Sequence, residues 1–286
     1  MLIYIILGLC VIALIVAIVE TRLLRVKHYT IDSQNSNLKK NIKIALISDM
    51  HCTVFGKNNK RLIDKIADLN CDFLIVAGDV INGKPDDLSY ALDFFKGIKE
   101  KGIKTYYFYG NHEQKLSMTD EKSFEDYGSE IRKFVETVNN DTVVLDGITL
   151  KGLLIPLKMY RDKISEIEKY FNAVQLVGEF DNDGNYHILV AHDPTFASMY
   201  DAVGADLILS GHLHGGIIRI PFLGGVITPR HKLFTGRTRG IYDQGKGKIL
   251  ITSGIGWHAI PLRFCNDPEI CMIEIRSSGY EAQIGS

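Results

Sequence analysis

Five times along this chain an apolar run closes on a side chain that can bind a metal. The run over 42–47 leads into Asp49 and His51, that over 73–77 into Gly78 and Asp79, and that over 105–109 into Gly110, Asn111, His112 and Glu113. The run over 187–191 leads into His192 and Asp193, and that over 206–209 into Ser210, Gly211, His212, Leu213 and His214. Near-continuous apolar runs separated by helical stretches belong to strands buried on both faces, which restricts the chain to an α/β architecture with a helix-covered sheet. Ligands of such sheets gather beyond the carboxyl ends of the strands, so residues far apart in sequence are expected at one edge. In an extended backbone residues i and i+2 point the same way, so Asp49 with His51 and His212 with His214 read as ligand pairs facing one cavity.

Apolar residues at helical spacing predict helices over 59–69, with Leu62, Ile63, Ile66 and Leu69 on one face, over 88–98, and over 123–138. Runs around 216–220, 248–252 and 270–275 have no helices between them and predict a second, more antiparallel sheet. The expected architecture is a four-layer α-β-β-α sandwich of two mixed sheets packed face to face and flanked by helices.

The five motifs in this order, Asp-x-His, Gly-Asp, Gly-Asn-His-Glu, His-Asp and Gly-His-x-His, resemble the calcineurin-like metallophosphoesterase superfamily over 42–275. The segments 211–221, 253–256 and 261–264 are similar to its bacterial membrane-tethered branch. The resemblance implies a pair of divalent cations, with Asp49, His51, Asp79 and His214 around the first. Asp79, Asn111, His192 and His212 surround the second, Asp79 bridging. It further implies hydrolysis of a phosphate ester by a metal-bridging hydroxide, with His112 as general acid. A closely spaced cation pair activates water, orients phosphate and stabilises both the attacking and the leaving oxygen. Carboxylate, amide and imidazole ligands without thiolate fit manganese, iron, zinc or cobalt. Glu113 and Asp193 read either as carboxylates that orient an imidazole or as ordinary loop charges. A hydrolase of a lipid-linked or sugar-nucleotide pyrophosphate is the alternative activity. A non-catalytic metal-binding scaffold is a weaker one, because every ligand and His112 are in place.

Leu2 to Val19 carries no charge, and as a helix would span roughly 27 Å, close to the hydrocarbon thickness of a bilayer. The expected organisation is a transmembrane anchor over 1–21, a tether over 22–41 and a catalytic domain over 42–286. A cleaved signal peptide is the rival reading, but a basic leading region and a small-residue cleavage site are missing. Arg22, Arg25 and Lys27 follow the span and predict a single-pass membrane protein with its catalytic domain in the cytoplasm, although related tethered phosphoesterases can be exported. Five cysteines, with Cys10 inside the span, do not form a disulfide framework. A formal net charge of −1 gives no broad basic surface, so no nucleic-acid partner is expected, and a monomer is the default.

Substrate is less constrained. The apolar stretch 216–227 reads either as strand and core or as a lip that meets lipid, which with the anchor suggests a membrane-surface, lipid-linked phosphoester. Arg219, Lys232, Arg237, Arg239 and Arg263 are available to meet phosphate, and each is also an ordinary surface charge. The segment 144–171, with Lys151, Lys158, Arg161 and Lys163, is expected to wall the pocket and set specificity among monoester, diester and pyrophosphate. His187 reads as part of a strand, His28, His231 and His258 as surface or rim residues, and Cys52 as a packed thiol.

Overall fold

The computed structural model describes residues 1–35, 37–216, 219–220, 224–225, 236–257 and 262–277. In chain order the elements are α1 (Leu2–Glu20), β1 (Arg25–Ser33), β2 (Ile42–Ile47), α2 (Lys60–Ala67), β3 (Phe73–Ala77), α3 (Leu88–Glu100) and β4 (Thr105–Phe108). Next come α4 (Asn111–Thr119), α5 (Glu121–Ile131), β5 (Glu136–Thr137), β6 (Asp141–Leu145), β7 (Ile148–Leu153), α6 (Ile164–Ile167), α7 (Ala173–Val177) and β8 (Tyr186–Ala191). The chain continues through α8 (Ala197–Tyr200), β9 (Leu207–Ser210), β10 (Arg219–Ile220), β11 (Gly224–Gly225), β12 (Gly240–Gln244), β13 (Gly247–Ile251) and β14 (Glu269–Ser277).

Two six-stranded sheets carry the domain, in the orders β1-β14-β2-β3-β4-β5 and β12-β13-β9-β8-β7-β6. Both are mixed. In the first, β2 to β5 run parallel and β14 runs antiparallel to β2; in the second, β7, β8, β9 and β13 are parallel between antiparallel β6 and β12. Ile44, Leu46, Ile75 and Phe108 of one sheet meet Leu150, Ile188, Val190 and Leu209 of the other in a central apolar layer. The opposite face of the first sheet packs Ala45, Leu74 and Tyr107 against Leu62 and Ile66 of α2 and Phe94 and Ile98 of α3. The outer face of the second packs Leu189, Ile208 and Ile249 against Ile167, Ala173 and Tyr200. The four-layer sandwich is thus present, and it explains why the core strands read as unbroken apolar runs: each has a hydrophobic layer on both sides.

Three expectations change. The helix expected over 123–138 ends at Ile131, and Glu136–Thr137 pairs alongside β4, since the run Val135, Thr137, Val138 favours extended backbone. The expected separate sheet of late strands does not form: β13 joins β9, β14 inserts between β1 and β2, and β10 pairs with β11. The stretch read as a tether supplies β1, whose nine residues pair in parallel with β14 from Arg25↔Glu269 to Ser33↔Ser277.

Among the described residues, one helix, over Ile3–Glu20, is long and apolar enough to cross a membrane. It exposes Ile3, Leu7, Val11, Ile15 and Val19 around its surface, whereas its last turns meet the domain through Ala17.

Candidate metal centre

All five sequence motifs follow the carboxyl ends of β2, β3, β4, β8 and β9, four of them in turns and Asn111, His112 and Glu113 in the first turn of α4. The ligand pairs are not extended, as the spacing argument supposed. Asp49 (φ 52°), His51 (φ 45°), Asp79 (φ 55°), His212 (φ 65°) and His214 (φ 48°) all adopt left-handed backbone, which costs a non-glycine residue about 1–3 kcal/mol. Interlocking hydrogen bonds hold these turns: Asp49 N–H donates to the Gly78 carbonyl, His51 N–H to that of Asp79 and Cys52 N–H to that of Val80. The His212 N–H donates to the Asp49 carboxylate at 3.0 Å. Gly78 (φ 93°) is required where the turns press together, since a Cβ there would stand 2.7 Å from the His192 ring and from the Gly110 nitrogen.

The turns bring Asp49, His51, Asp79, His112, His192, His212 and His214 into one buried cluster. Asp49, His51 and His214 form one group of converging ligand atoms, His51, Asp79 and His112 a second, and Asp79, His192 and His212 a third, with the atoms of each group within 4.8 Å of one another. The Nε2 atoms of His51 and His214 face each other at 3.2 Å, and His214 Nε2 lies 3.6 Å from Asp49 Oδ1. One Asp79 oxygen stands 3.1 Å from His192 Nε2 and 3.8 Å from His51 Nε2. His192 donates from Nδ1 to the Ala77 carbonyl at 2.6 Å, which turns Nε2 inward, the usual orientation of a ligating imidazole. The side-chain oxygen of Asn111 is buried without a hydrogen-bond partner, a costly state for an amide unless a cation takes its lone pair. These donors fit hard or borderline divalent metals, and no thiolate stands among them: Cys52 packs against the helix-covered face of the first sheet.

Electrostatics point the same way. Burial pushes the Asp49 carboxyl up to about 6, with Asp79 adding to the rise and His192 opposing it. Burial also acts against the Asp79 charge, but His192, His112 and His51 around it hold its carboxyl well below the ordinary range. Against its own desolvation, His192 is pushed up to about 10 by Asp79 and Asp49. Without metal the cluster therefore recruits protons as countercharge, a role that cations would take over.

Glu113 does not orient an imidazole. Its buried carboxylate accepts the backbone N–H groups of Asp79 (3.0 Å), Val80 (2.7 Å) and Gly110 (2.8 Å) and the Tyr107 hydroxyl (2.7 Å), clasping the β3 and β4 turns together. An acidic residue three positions after the start of a helix signals such a cap locally, but its hold on the Asp79 turn has no local signal. Asp193 does lie near an imidazole, with Oδ2 3.5 Å from His212 Nε2, while its other oxygen accepts the Thr195 N–H. Sequence reasoning missed Asn266, whose amide donates to the His214 carbonyl at 2.7 Å.

The arginines read as phosphate contacts have other work. Arg263 is buried and donates to the carbonyls of Ser253, Gly254, Gly256 and Asn266, and Arg239 pairs with buried Glu269 at 2.7 Å. Arg219 donates to Gly215 and Thr238, and Arg237 lies over the Tyr242 ring. Within 144–171, Lys151 is buried and caps the carbonyls of Val177, Gly178 and Glu179. Tyr160 reaches the site, its ring 5.2 Å from that of His212. His187 lies in β8, bonded to Asp183, and His28 is exposed on β1. Lys232, His231, His258 and most of the 216–227 lip lie outside the described residues.

Residues 42–216, more than half of the chain, match the model of the calcineurin-like phosphoesterases. The chain belongs to that family. It is 29% identical over 259 residues to an uncharacterized metallophosphoesterase of Campylobacter jejuni, an alignment that takes in 86% of this chain and 62% of that protein. It is 25% identical over 266 residues to one of Aquifex aeolicus, covering 91% of this chain and 95% of the relative. A Danio rerio transmembrane protein with metallophosphoesterase domain is 24% identical over 250 residues, 83% of this chain and 54% of that protein. The chain thus spans less than two thirds of the Campylobacter and Danio relatives and nearly all of the Aquifex one. The family match and the buried ligand cluster together support a metal-dependent hydrolase.

Proposed function

We propose that the chain hydrolyses a phosphate ester at a membrane surface with two divalent cations held side by side. The carrying observation is that the ligand groups share members: Asp79 belongs both to the group with His51 and to the group with His192 and His212. In this reading Asp49, His51 and His214 hold one cation, Asn111, His192 and His212 the other, and Asp79 both. When bound, the pair lowers the pKa of water and provides a positive seat for phosphate oxygens.

The remaining work belongs to side chains. His112 has Nδ1 at 2.8 Å from the Asn82 carbonyl, so Nδ1 carries a proton and Nε2 of the imidazolium is the atom that would give its proton to the leaving oxygen. Its backbone N–H donates to Asp79 at 2.9 Å, tying the acid to the shared carboxylate. Tyr160, its ring 5.2 Å from that of His212, would bound the opening on that side and select among phosphoesters by their bulk.

We read α1 as a single-pass anchor, with the enzyme on the cytoplasmic face because Arg22, Arg25 and Lys27 follow the span. The test is hydrolysis of chromogenic phosphomonoester and phosphodiester substrates by metal-loaded full-length protein. Manganese-dependent turnover, reduced about 10²–10⁴-fold in His112→Ala at unchanged metal content, is expected. Loaded protein that cleaves neither substrate would overturn the assignment.

A further inference from the structure

The anchor joins the first sheet at the same edge as the metal ligands. Strand β14 runs antiparallel to β2, with Cys271 opposite Leu46, so β14 begins where β2 ends and the Asp49 turn starts. Strand β1 runs parallel to β14, with Arg25 opposite Glu269, so β1 also begins at that edge. Helix α1 ends at Glu20, only four residues before Arg25. Fully extended, the five Cα steps from Glu20 to Arg25 would reach roughly 18 Å, but they are coiled, since Arg22 N–H donates to the Val19 carbonyl and Leu23 N–H to that of Glu20, so the helix ends at this edge of the sheet and the opposite edge is turned away from the bilayer.

Nor is this connection loose. Thr21 and Leu24 are buried, and the Arg22 guanidinium lies over Trp257 at 5.2 Å. The Glu20 carboxylate faces the backbone amides of Asn266 and Cys265, and Arg25 N–H donates to the Pro268 carbonyl at 2.8 Å. That same 254–268 segment carries the centre from behind: Gly256 N–H donates to the Asp49 carbonyl, and the Asn266 amide to that of His214. Beside the end of the helix Arg22, Arg25 and Arg61 are exposed, with the Arg61 guanidinium bonded to the Arg22 carbonyl. Such cations are drawn toward an anionic leaflet.

We infer that the metal-bearing edge faces the leaflet that α1 enters, so that the substrate is an amphiphilic phosphoester whose apolar part stays in the bilayer while its phosphate reaches the centre at headgroup depth. This rests on the anchored-phosphoesterase reading above, and its test separates the two. Trp257, the chain's one tryptophan, lies against Arg22 and directly follows Gly256, whose N–H donates to the Asp49 carbonyl, so it reports the position of this edge without mutation. Full-length protein is reconstituted in phosphatidylcholine vesicles containing phosphatidylglycerol and headgroup-nitroxide lipid. Trp257 is expected to be quenched, and a tryptophan placed at the far edge by Lys101→Trp in a Trp257→Phe background is not. Equal quenching, or stronger quenching at residue 101, overturns the orientation whatever the activity.

The second arm compares long-chain phosphatidate and phosphatidylglycerol in the protein's own vesicles with their water-soluble short-chain forms. Confinement to one surface is expected to favour the membrane-held forms by about 10²-fold in apparent efficiency. Cleavage of the soluble forms alone overturns the amphiphilic substrate while the phosphoesterase stands. Strong Trp257 quenching with no hydrolysis of any phosphoester leaves the orientation in place and overturns the enzymatic reading.

Discussion

Replacing Glu113 tests whether the metal centre depends on a carboxylate that never touches metal. Its two oxygens accept three close backbone N–H groups and the Tyr107 hydroxyl, and Tyr107 in turn meets the Tyr127 hydroxyl at 2.9 Å. Hydrogen bonds to a charged acceptor contribute about 1.5–3 kcal/mol each, so the four together give on the order of 6–12 kcal/mol. Desolvating the carboxylate cancels several kcal/mol of that, and burial with the nearby Asp79 charge accordingly pushes its pKa up. Glu113→Ala therefore costs about 3–5 kcal/mol net, because the stranded donors have no water to turn to. In a chain of this size that lowers Tm by about 10 °C. Glu113→Gln keeps the shape but puts an NH₂ against donors, so it falls between wild type and alanine. The clasp also sets the spacing of the Asp79 and Asn111 turns, so metal affinity should drop about 10–100-fold in both variants. Thermal melting and metal titration of Glu113→Gln decide the matter. Wild-type Tm together with wild-type metal affinity would refute the clasp.

In the proposed two-cation arrangement Asn111→Ala would remove one uncharged ligand from the second site, and elemental analysis should then show metal content falling from two ions per chain toward one. In metal-free protein the His192 imidazole is held up to about 10 against an ordinary 6.5. A raised folded-state value gives stability that is present in full below about 6.5 and lost as pH rises toward about 10. Denaturant midpoints of the chelated protein should therefore decline across that window, while the loaded protein, with His192 neutral, should not; parallel curves would count against the assignment. Loading metal at neutral pH should also release protons, readable as a dependence of titration heat on the buffer's ionisation enthalpy. Arg263→Met should fail to hold the 253–266 segment and lower both stability and metal content. Stability that falls without loss of metal would uncouple that segment from the centre.

Much of this protein is local in the sequence. Unbroken apolar runs followed by Asp49 and His51, Asp79, Asn111 and His112, His192, and His212 and His214 already imply buried strands with ligands at their carboxyl ends, because burial on two faces and ligand chemistry are both written in adjacent residues. The uncharged Leu2 to Val19 stretch is equally plain. Other features were decided by distance. The period of the apolar residues could not say that the last strand would slip between β1 and β2, or that a presumed tether would become an edge strand, since pairing partners are chosen across the whole chain. Nor did it show that the ligand pairs adopt left-handed turns instead of extended ones, which depends on hydrogen bonds between the β2 and β3 loops. Arg263 and Arg239 looked like surface cations until folding buried the first among carbonyls and set the second against Glu269. Residue type declares what a side chain can bind, whereas what it does bind depends on which groups the sheets bring within about 3 Å of it, where a hydrogen bond or a metal bond can form.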